Sequence, residues 1–230
     1  MKRKTPDSST LKAARRELQF YAEGEYADSI VRSAMGDIEG SIAALKRSLE
    51  AVPTYAPAIL SMGSVEYQVG RTAEGGALFL SLLSLPKNTT DIREIFDEAG
   101  MFLTRTKAYD DGMALYRKAV ERYPDVAALY QGLGYCASDA GLHEEAVSAN
   151  RRALELEPEN QKLVNDLGWT LFKAGRLTQA RETLERAVTM DPSDELAREN
   201  LRFCKQEIER KESGKVRNSQ TSRDRSRKLR

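Results

Sequence analysis

The sequence predicts an all-α fold made of helical hairpins that stack in series. Pro124, Pro158 and Pro192 are spaced by 34 residues, and Pro53 lies two such periods plus three residues before Pro124. A fixed period of roughly 20–50 residues is typical of stacked supersecondary units. With 40% hydrophobic residues, the chain also has enough apolar matter for a packed core. The period therefore predicts where each hairpin begins and ends.

Residues 161–194 show the hairpin pattern. Apolar residues recur at steps of three or four through residues 160–174 and again through residues 177–188, which predicts two amphipathic helices. Gly175 ends the first helix, because glycine accepts the left-handed conformation of a helix C-terminus. Pro192 ends the second, since proline cannot continue a helix. The apolar positions are Val164, Leu167, Leu171, Leu177, Ala180, Leu184, Ala187 and Val188.

Two small residues predict how this hairpin closes. Gly168 and Ala180 stand in the middle of facing helices, where a missing or short side chain lets two backbones approach. A glycine in mid-helix costs about 1 kcal/mol relative to alanine, so its presence calls for a packing reason. Close approach of the partner helix supplies that reason.

These residues resemble the tetratricopeptide repeat family, whose 34-residue pattern is W-x2-L-G-x2-Y, then A-x3-F, then A and P. Segment 161–194 matches with Val164 in place of Trp, then Leu167, Gly168, Leu171, Ala180, Leu184, Ala187 and Pro192. Segment 127–160 departs at Ala137 and Asn150 but matches with Tyr130, Leu133, Gly134, Ala146, Ala153 and Pro158. Segment 93–126 matches with Phe96, Ala99, Gly100, Leu103, Gly112, Tyr116, Ala119 and Pro124.

Two further segments resemble the family less closely. Segment 56–89 is followed by an insertion at residues 90–92, and it matches with Met62, Gly63, Gly70, Gly75 and Phe79. Segment 22–55 is interpreted as a degenerate repeat whose first helix starts late and uses Tyr26, Ile30 and Val31. The resemblance covers about 170 of the 230 residues. It implies a right-handed superhelical solenoid of about five tetratricopeptide-type hairpins over residues 22–194.

The two ends are predicted to differ from the repeats. Residues 1–21 are expected to form a basic tail and a short helix that packs through Leu11, Leu18 and Phe20. Residues 195–212 are expected to form a capping helix, because terminal repeats need a polar outer face. Ser193 is the expected N-cap of this helix. Its apolar stripe is Leu196, Leu201 and Ile208. Residues 213–230 are rich in Ser and Arg and are predicted to be disordered.

Charge is distributed unevenly although the net charge is only +1. Residues 1–7 carry +2, residues 215–230 carry +6, and the remaining body therefore carries −7. The basic C-terminal tail leaves nucleic acid or an acidic protein open as a partner, although it lacks aromatic residues for base stacking.

No apolar stretch follows the basic N-terminus and no run reaches the ~18 residues of a membrane span, so a soluble cytoplasmic protein without a membrane partner is expected.

No pattern in the chain predicts catalysis. Phosphate-binding loops, HExxH, GxSxG and metal-ligand clusters are absent from the sequence, and the repeats leave no room for a catalytic domain. His143 is expected at the surface, at the start of a second helix. Cys136 and Cys204 show no metal or disulfide spacing and are interpreted as small buried hydrophobic residues. The chain is therefore expected to be neither an enzyme nor a cofactor- or metal-binding protein.

The resemblance implies that the first helix of each hairpin lines a concave groove. The residues predicted to contact a partner there are Tyr67, Glu94, Asp97, Met101, Gln131, Tyr135, Lys162, Asn165, Trp169 and Phe172. Tyr135 and Trp169 occupy the same place in adjacent repeats and have two interpretations, inter-helix core or an exposed platform for a peptide. Acidic residues around Glu94 and Asp97 form either a solvated face or a docking site for a basic segment.

The resulting functional hypothesis is a scaffold or adaptor that binds a peptide or helical segment of a partner protein in the groove. The alternative is a nucleic-acid-associated protein that uses the basic C-terminal tail. Some family members bind the acidic tails of chaperones through a set of cationic and amide residues spread over three consecutive repeats. No three consecutive repeats of this chain carry that set, so chaperone-tail binding is not expected.

Overall fold

The computed structural model describes the backbone of residues 8–228 and the side chains of residues 8–213. All regular structure in this part of the chain is helical, in agreement with the predicted all-α class. The α-helices are α1 Ser8–Ala34, α2 Ile38–Ala51, α3 Ala56–Gln68, α4 Thr72–Ser81, α5 Ile92–Arg105, α6 Tyr109–Arg122, α7 Ala127–Asp139, α8 His143–Leu156, α9 Gln161–Lys173, α10 Leu177–Met190 and α11 Glu195–Lys228. A single 3-10 turn, Leu82–Ser84, follows α4.

The chain divides into two compact units after Arg122. In the first unit, α1 pairs with α2, α3 with α4 and α5 with α6, and α2 also contacts α3. In the second unit, α7 pairs with α8 and α9 with α10, while α11 packs on both α9 and α10. Each unit is thus a short series of helical hairpins, as the proline period predicts.

In four of these hairpins, a glycine of the first helix lets the second helix pack closely against it. A Cβ placed on Gly168 would stand 2.6 Å from Cγ of Leu184 in α10, which is shorter than the contact distance between two side-chain carbons. The second helix therefore fills the space that the glycine leaves, and the predicted packing reason for Gly168 is confirmed. In every case the contacted residue lies 16 positions later, and the pairs are Gly63 with Phe79, Gly100 with Tyr116, Gly134 with Asn150, and Gly168 with Leu184.

The turn between the two helices of a hairpin needs a left-handed residue. Gly175 has a φ of 75°, and its amide donates to the carbonyl of Phe172 at 2.9 Å, so it ends α9 as predicted. Glycines with positive φ also end the first helices of three other hairpins. Lys107 takes this conformation after α5 with a φ of 60°.

The N-terminal helix differs from the prediction. Instead of a short separate helix followed by a late first helix, α1 runs without interruption from Ser8 to Ala34. It meets α2 through small residues, since the hydroxyl of Ser41 donates to the carbonyl of Ser29 and that of Ser48 to the carbonyl of Ala22, both at 2.8 Å.

The expected packing of the large apolar residues of α1 is wrong for most of them. Tyr26 does pack, edge-on against Tyr55 at 5.6 Å between ring centroids. The side chains that were expected to be buried but are exposed are Leu11, Leu18, Phe20, Ile30 and Val31. Phe20, Ile30 and Val31 lie away from the face that carries Ala22 and Ser29, the small residues that meet α2. Leu11 and Leu18 lie on that face but precede Ala22, which already contacts α2 close to the end of that helix at Ala51.

The C-terminal helix packs as a cap, with different contacts from those expected. Its N-cap interactions come from Asp194, whose carboxylate accepts from the amides of Leu196 and Ala197 at 2.9 and 3.2 Å, and not from Ser193. Leu196 is exposed, whereas Leu201 and Ile208 pack against the hydrophobic core as predicted. The fully buried side chains are Ala197 and Cys204.

The backbone of α11 is helical as far as Lys228, beyond the predicted end at residue 212 and through most of the tail predicted to be disordered. Extending a helix that is already nucleated adds one hydrogen bond per residue, and Arg, Lys and Gln disfavour helix only slightly.

None of the helices described combines the length and apolar character that crossing a bilayer requires. Cys136 and Cys204 are buried, as expected.

Candidate partner-binding surface

Three aromatic side chains occupy equivalent places on the first helices of the second unit. Tyr135 lies on α7, Trp169 on α9 and Phe203 on α11, each 34 residues after the previous one. Tyr135 and Phe203 are 48% and 43% exposed, and Trp169 is half-buried. We refer to these three residues as the aromatic series. Sequence analysis missed Phe203 because α11 was treated only as a cap, although the 34-residue period reaches it.

Asp166 holds the first member of the series in place. The hydroxyl of Tyr135 donates to Oδ2 of Asp166 at 2.7 Å, and Nε2 of Gln131 donates to the same oxygen at 2.6 Å. These bonds tie α7 to α9 across 31 and 35 residues of sequence. Asp166 was not among the predicted site residues, since its place in the repeat alone does not show which distant side chains reach it.

Burial raises the pKa of the Asp166 carboxyl above its ordinary value, while the bonds from Tyr135 and Gln131 oppose this rise. The folded protein therefore holds the proton of Asp166 more tightly than the unfolded chain does. The stability that this protonation contributes is present below about pH 4, the ordinary range of an aspartate, and is lost as the pH rises through the raised pKa.

We expect Asp166→Asn to reveal this dependence, because asparagine has the same shape and can still accept a hydrogen bond but does not ionise. Wild-type stability should fall relative to the variant as the pH rises from about 4 towards 7. Urea unfolding of both proteins at several pH values measures the difference. A difference that stays constant with pH would show that the half-buried carboxylate carries no such cost, and one that grows in favour of the wild type would reverse the sign.

The ring of Trp169 rests on Phe172. Their ring centroids are 5.0 Å apart and the planes are inclined by 24°, so the rings are stacked. Phe172 in turn packs against the core that includes Leu171 and Leu184. Trp169 is therefore backed by the core on one side and keeps part of its surface accessible, an arrangement intermediate between the two interpretations of its sequence.

The other predicted residues of α9 diverge. Lys162 is exposed. Asn165 is only 3% exposed, and its Oδ1 accepts from Nδ2 of the buried Asn200 at 3.0 Å. Asn165 therefore joins α9 to α11 and does not reach the accessible surface. The reason is that the fifth place of this first helix faces the next first helix, where a paired amide satisfies both buried groups.

In the first unit, Tyr67 contacts side chains of α4, α5 and α6. Its hydroxyl hydrogen-bonds to Asp111, and its ring packs against Phe79 and Phe102 at 5.9 and 5.5 Å between centroids. Burial together with the bond to Asp111 raises the pKa of the Tyr67 phenol. Tyr67 is half-buried, so it serves the packing of this unit more than its surface.

The remaining predicted residues of the first unit lie on α5. Met101 and Glu94 are exposed. Asp97 is half-buried, burial raises the pKa of its carboxyl, and the carboxylate lies 3.7 Å from the guanidinium of Arg93. The acidic cluster is thus partly compensated within α5 itself. The structure describes no group of three or more His, Cys, Asp and Glu residues in residues 8–213 that could hold a metal ion.

Sequence and structure comparisons identify the repeats. Two sequence models of the tetratricopeptide repeat family match residues 102–161 and 139–201. A comparison with curated protein sequences found no match.

Solved structures share the fold at low sequence identity. The crystal structure of MamA protein is 17% identical, with a TM-score of 0.51 over 75% of this chain and 92% of that one. The crystal structure of YrrB, described as a TPR protein with an unusual peptide-binding site, is 19% identical, with a TM-score of 0.50 over 83% and 96%. The first TPR domain of human RPAP3 is 21% identical, with a TM-score of 0.50 over 54% and 97%.

At these identities the solved structures show the fold alone. The family models show that the sequence itself has the repeat pattern. The models match the part of the chain where the period, the closing glycines and the hairpins coincide. Residues 102–201 of this chain therefore consist of tetratricopeptide repeats.

Proposed function

We propose that this protein is a scaffold that binds a peptide or helical segment of a partner protein, and that the aromatic series of the second unit is the centre of the binding surface. The observation that carries the proposal is the repetition of a large, accessible aromatic ring at one place on α7, α9 and α11. Tyr and Trp, two of the three residues in the series, are enriched among binding hot spots.

The surroundings of the series favour binding further, because the rings are ordered before a partner arrives. Asp166 fixes Tyr135, and Phe172 supports Trp169. A guanidinium group, that of Arg202, lies 5.0 Å from the ring centre of Phe203. Side chains that are already immobilised lose less conformational entropy on binding, so more of the contact energy is available for affinity.

A solved relative in fold supports this class of function. YrrB is described as having a peptide-binding site, and its fold matches 83% of this chain. The tetratricopeptide architecture can therefore present a surface to a peptide, and the aromatic series is the feature of this chain that suits such a role.

The proposal is tested by selecting peptides from a random library on the immobilised full-length chain. Affinity capture of protein partners follows. The double variant Tyr135→Ala/Trp169→Ala should reduce the affinity of the selected peptides by about 30-fold or more, since each anchor contributes on the order of 1–2 kcal/mol or more. Trp169→Ala alone should change the free energy of unfolding by about 1 kcal/mol or less, as for surface changes.

The matched control is Leu142→Ala, at a side chain that is 47% exposed but precedes a second helix, α8. It should leave peptide affinity unchanged. Removal of residues 213–230 should also leave it unchanged, because the aromatic series precedes them. Peptides that bind the double variant as tightly as the wild type would refute the proposed surface, and a large loss of stability in Trp169→Ala would reassign that ring to the core.

A further inference from the structure

Asp166 lies beside two rings of the aromatic series. The hydroxyl of Tyr135 donates to its carboxylate at 2.7 Å. Trp169 follows three residues later on α9, and side chains at this spacing are neighbours on the surface of a helix. Tyr135 is 48% exposed, while Trp169 and Asp166 are half-buried. The carboxylate and both rings therefore border the same accessible surface.

The hydrogen bonds to this carboxylate come from neutral groups. Among the described side chains, its donors are the hydroxyl of Tyr135 and the amide of Gln131, at 2.7 and 2.6 Å. Burial raises the pKa of Asp166, and the nearby charge of Asp194 raises this pKa by more than the charge of Lys162 lowers it. The described chain therefore leaves the charge of Asp166 incompletely compensated. A cation from a partner would favour the ionised carboxylate and offset the cost of its burial.

The aromatic rings beside Asp166 also attract cations. The face of a Trp or Tyr ring is negative and binds the charged groups of Arg and Lys within about 6 Å of the ring centre. The third member of the series shows this contact inside the chain, because the guanidinium of Arg202 lies 5.0 Å from the ring centre of Phe203. The same guanidinium is 3.1 Å from the carboxylate of Glu199. Ring, cation and carboxylate thus occur together on α11, whereas at Asp166 the described chain supplies the rings and the carboxylate but no cation in contact with it.

The charge of the second unit favours a basic partner. Residues 123–213 carry 12 Lys and Arg against 17 Asp and Glu, a net charge of −5. Lys173, at the end of α9, is paired with Asp139 at 3.5 Å. Lys162, one turn before Asp166, is exposed, and its long flexible side chain can move away from an incoming cation. Oppositely charged surfaces steer a partner towards the site and favour it over partners of like charge.

We propose that the partner segment carries an arginine or lysine whose charged group lies against the rings of Tyr135 and Trp169 and pairs with the carboxylate of Asp166. The inference rests on the proposed function, because it names the chemistry of the partner at the same surface. The two attractions support each other, since the rings exclude water from the ion pair and a charged hydrogen bond is stronger where water is excluded.

Peptides selected on the full-length chain are the probes for this pair. Each Arg and Lys of a selected peptide is replaced in turn by Gln, and isothermal titration calorimetry measures the affinity for the wild type and for Asp166→Asn. For one basic residue, the replacement should weaken binding to the wild type by about 30-fold or more, because a charged hydrogen bond is lost. With Asp166→Asn, the same replacement should weaken binding by about 5-fold or less, because only the contact between the cation and the rings remains to be lost.

Two controls separate the charge of Asp166 from its support of Tyr135. Asparagine still accepts the hydrogen bond of the tyrosine hydroxyl, so replacing an apolar residue of the peptide by Ala should weaken binding by the same factor with Asp166→Asn as with the wild type. The matched control protein is Glu182→Gln, which removes one negative charge from an exposed position on α10, a second helix. With this protein, replacement of the basic residue should weaken binding by as much as with the wild type.

Two outcomes overturn the inference and leave the proposed function intact. Peptides that lose affinity for Tyr135→Ala/Trp169→Ala, yet contain no Arg or Lys or tolerate the replacement of each, bind the aromatic series without a cation. A basic residue whose replacement weakens binding equally with Asp166→Asn and with the wild type pairs with another group. Peptides that bind the double variant as tightly as the wild type refute the proposed surface, and the inference fails with it.

Discussion

Gly168→Val should lower the free energy of unfolding of the second unit by about 3 kcal/mol. A Cβ at this position would stand 2.6 Å from Cγ of Leu184 and 3.3 Å from its backbone nitrogen, so relaxation requires a shift of α10 and not only a new rotamer. Overpacking of a well-filled core costs typically 1–3 kcal/mol, and valine adds three carbons here. The small gain in helix propensity from glycine to valine does not offset this cost. Urea unfolding followed by circular dichroism measures it.

A double-mutant cycle separates the clash from other effects. Leu184→Ala alone should cost about 2–5 kcal/mol, because Leu184 is fully buried. In the double variant, the valine enters the space that the leucine vacated, so the combined loss should be smaller than the sum by more than about 1 kcal/mol. Strict additivity would mean that the two residues do not compete for the same volume.

The same glycine change at an open position provides the control for the cycle. Gly24→Val should leave the free energy of unfolding nearly unchanged, because no atom beyond the local backbone of α1 lies within 4 Å of the new Cβ. An equal loss at both glycines would assign the effect to the helix backbone and not to Leu184.

Phe79→Ala should cost the first unit about 3–5 kcal/mol, the range found for removal of a buried phenylalanine. Phe79 is 1% exposed, its ring fills the space beside Gly63, and it also packs against Tyr67 and Phe102. Because the facing residue Gly63 has no side chain, it cannot refill the cavity. Hydrogen exchange should show lost amide protection in α3 and α4.

Phe203→Ala removes the same side chain from the aromatic series and is the matched control. Since Phe203 is 43% exposed, its loss should cost about 1 kcal/mol or less. A Phe79→Ala variant that is no less stable than Phe203→Ala would contradict the assignment of Phe79 to the core of its hairpin.

The parts of the fold that depend on neighbours in sequence could be predicted. Gly175 ends α9, and Gly168 packs against α10, because both follow from local helix geometry repeated every 34 residues. The same period contained Phe203, and only the treatment of α11 as a plain cap kept it out of the predicted site. Asp166 could not be found this way, since its partners lie 31 and 35 residues away and no local pattern states that they reach it.

The sequence by itself determined the repeat pattern, the hairpins and the place of the aromatic residues on the first helices. The tertiary structure decided which of those residues remain accessible: Tyr135 is exposed, whereas Asn165 is buried against Asn200. It also decided that α1 packs through Ala22 and Ser29 and leaves Phe20 in solvent. The physical reason is that periodicity specifies the face of a helix on which a residue lies, but the burial of that face depends on which helix packs against it and how closely.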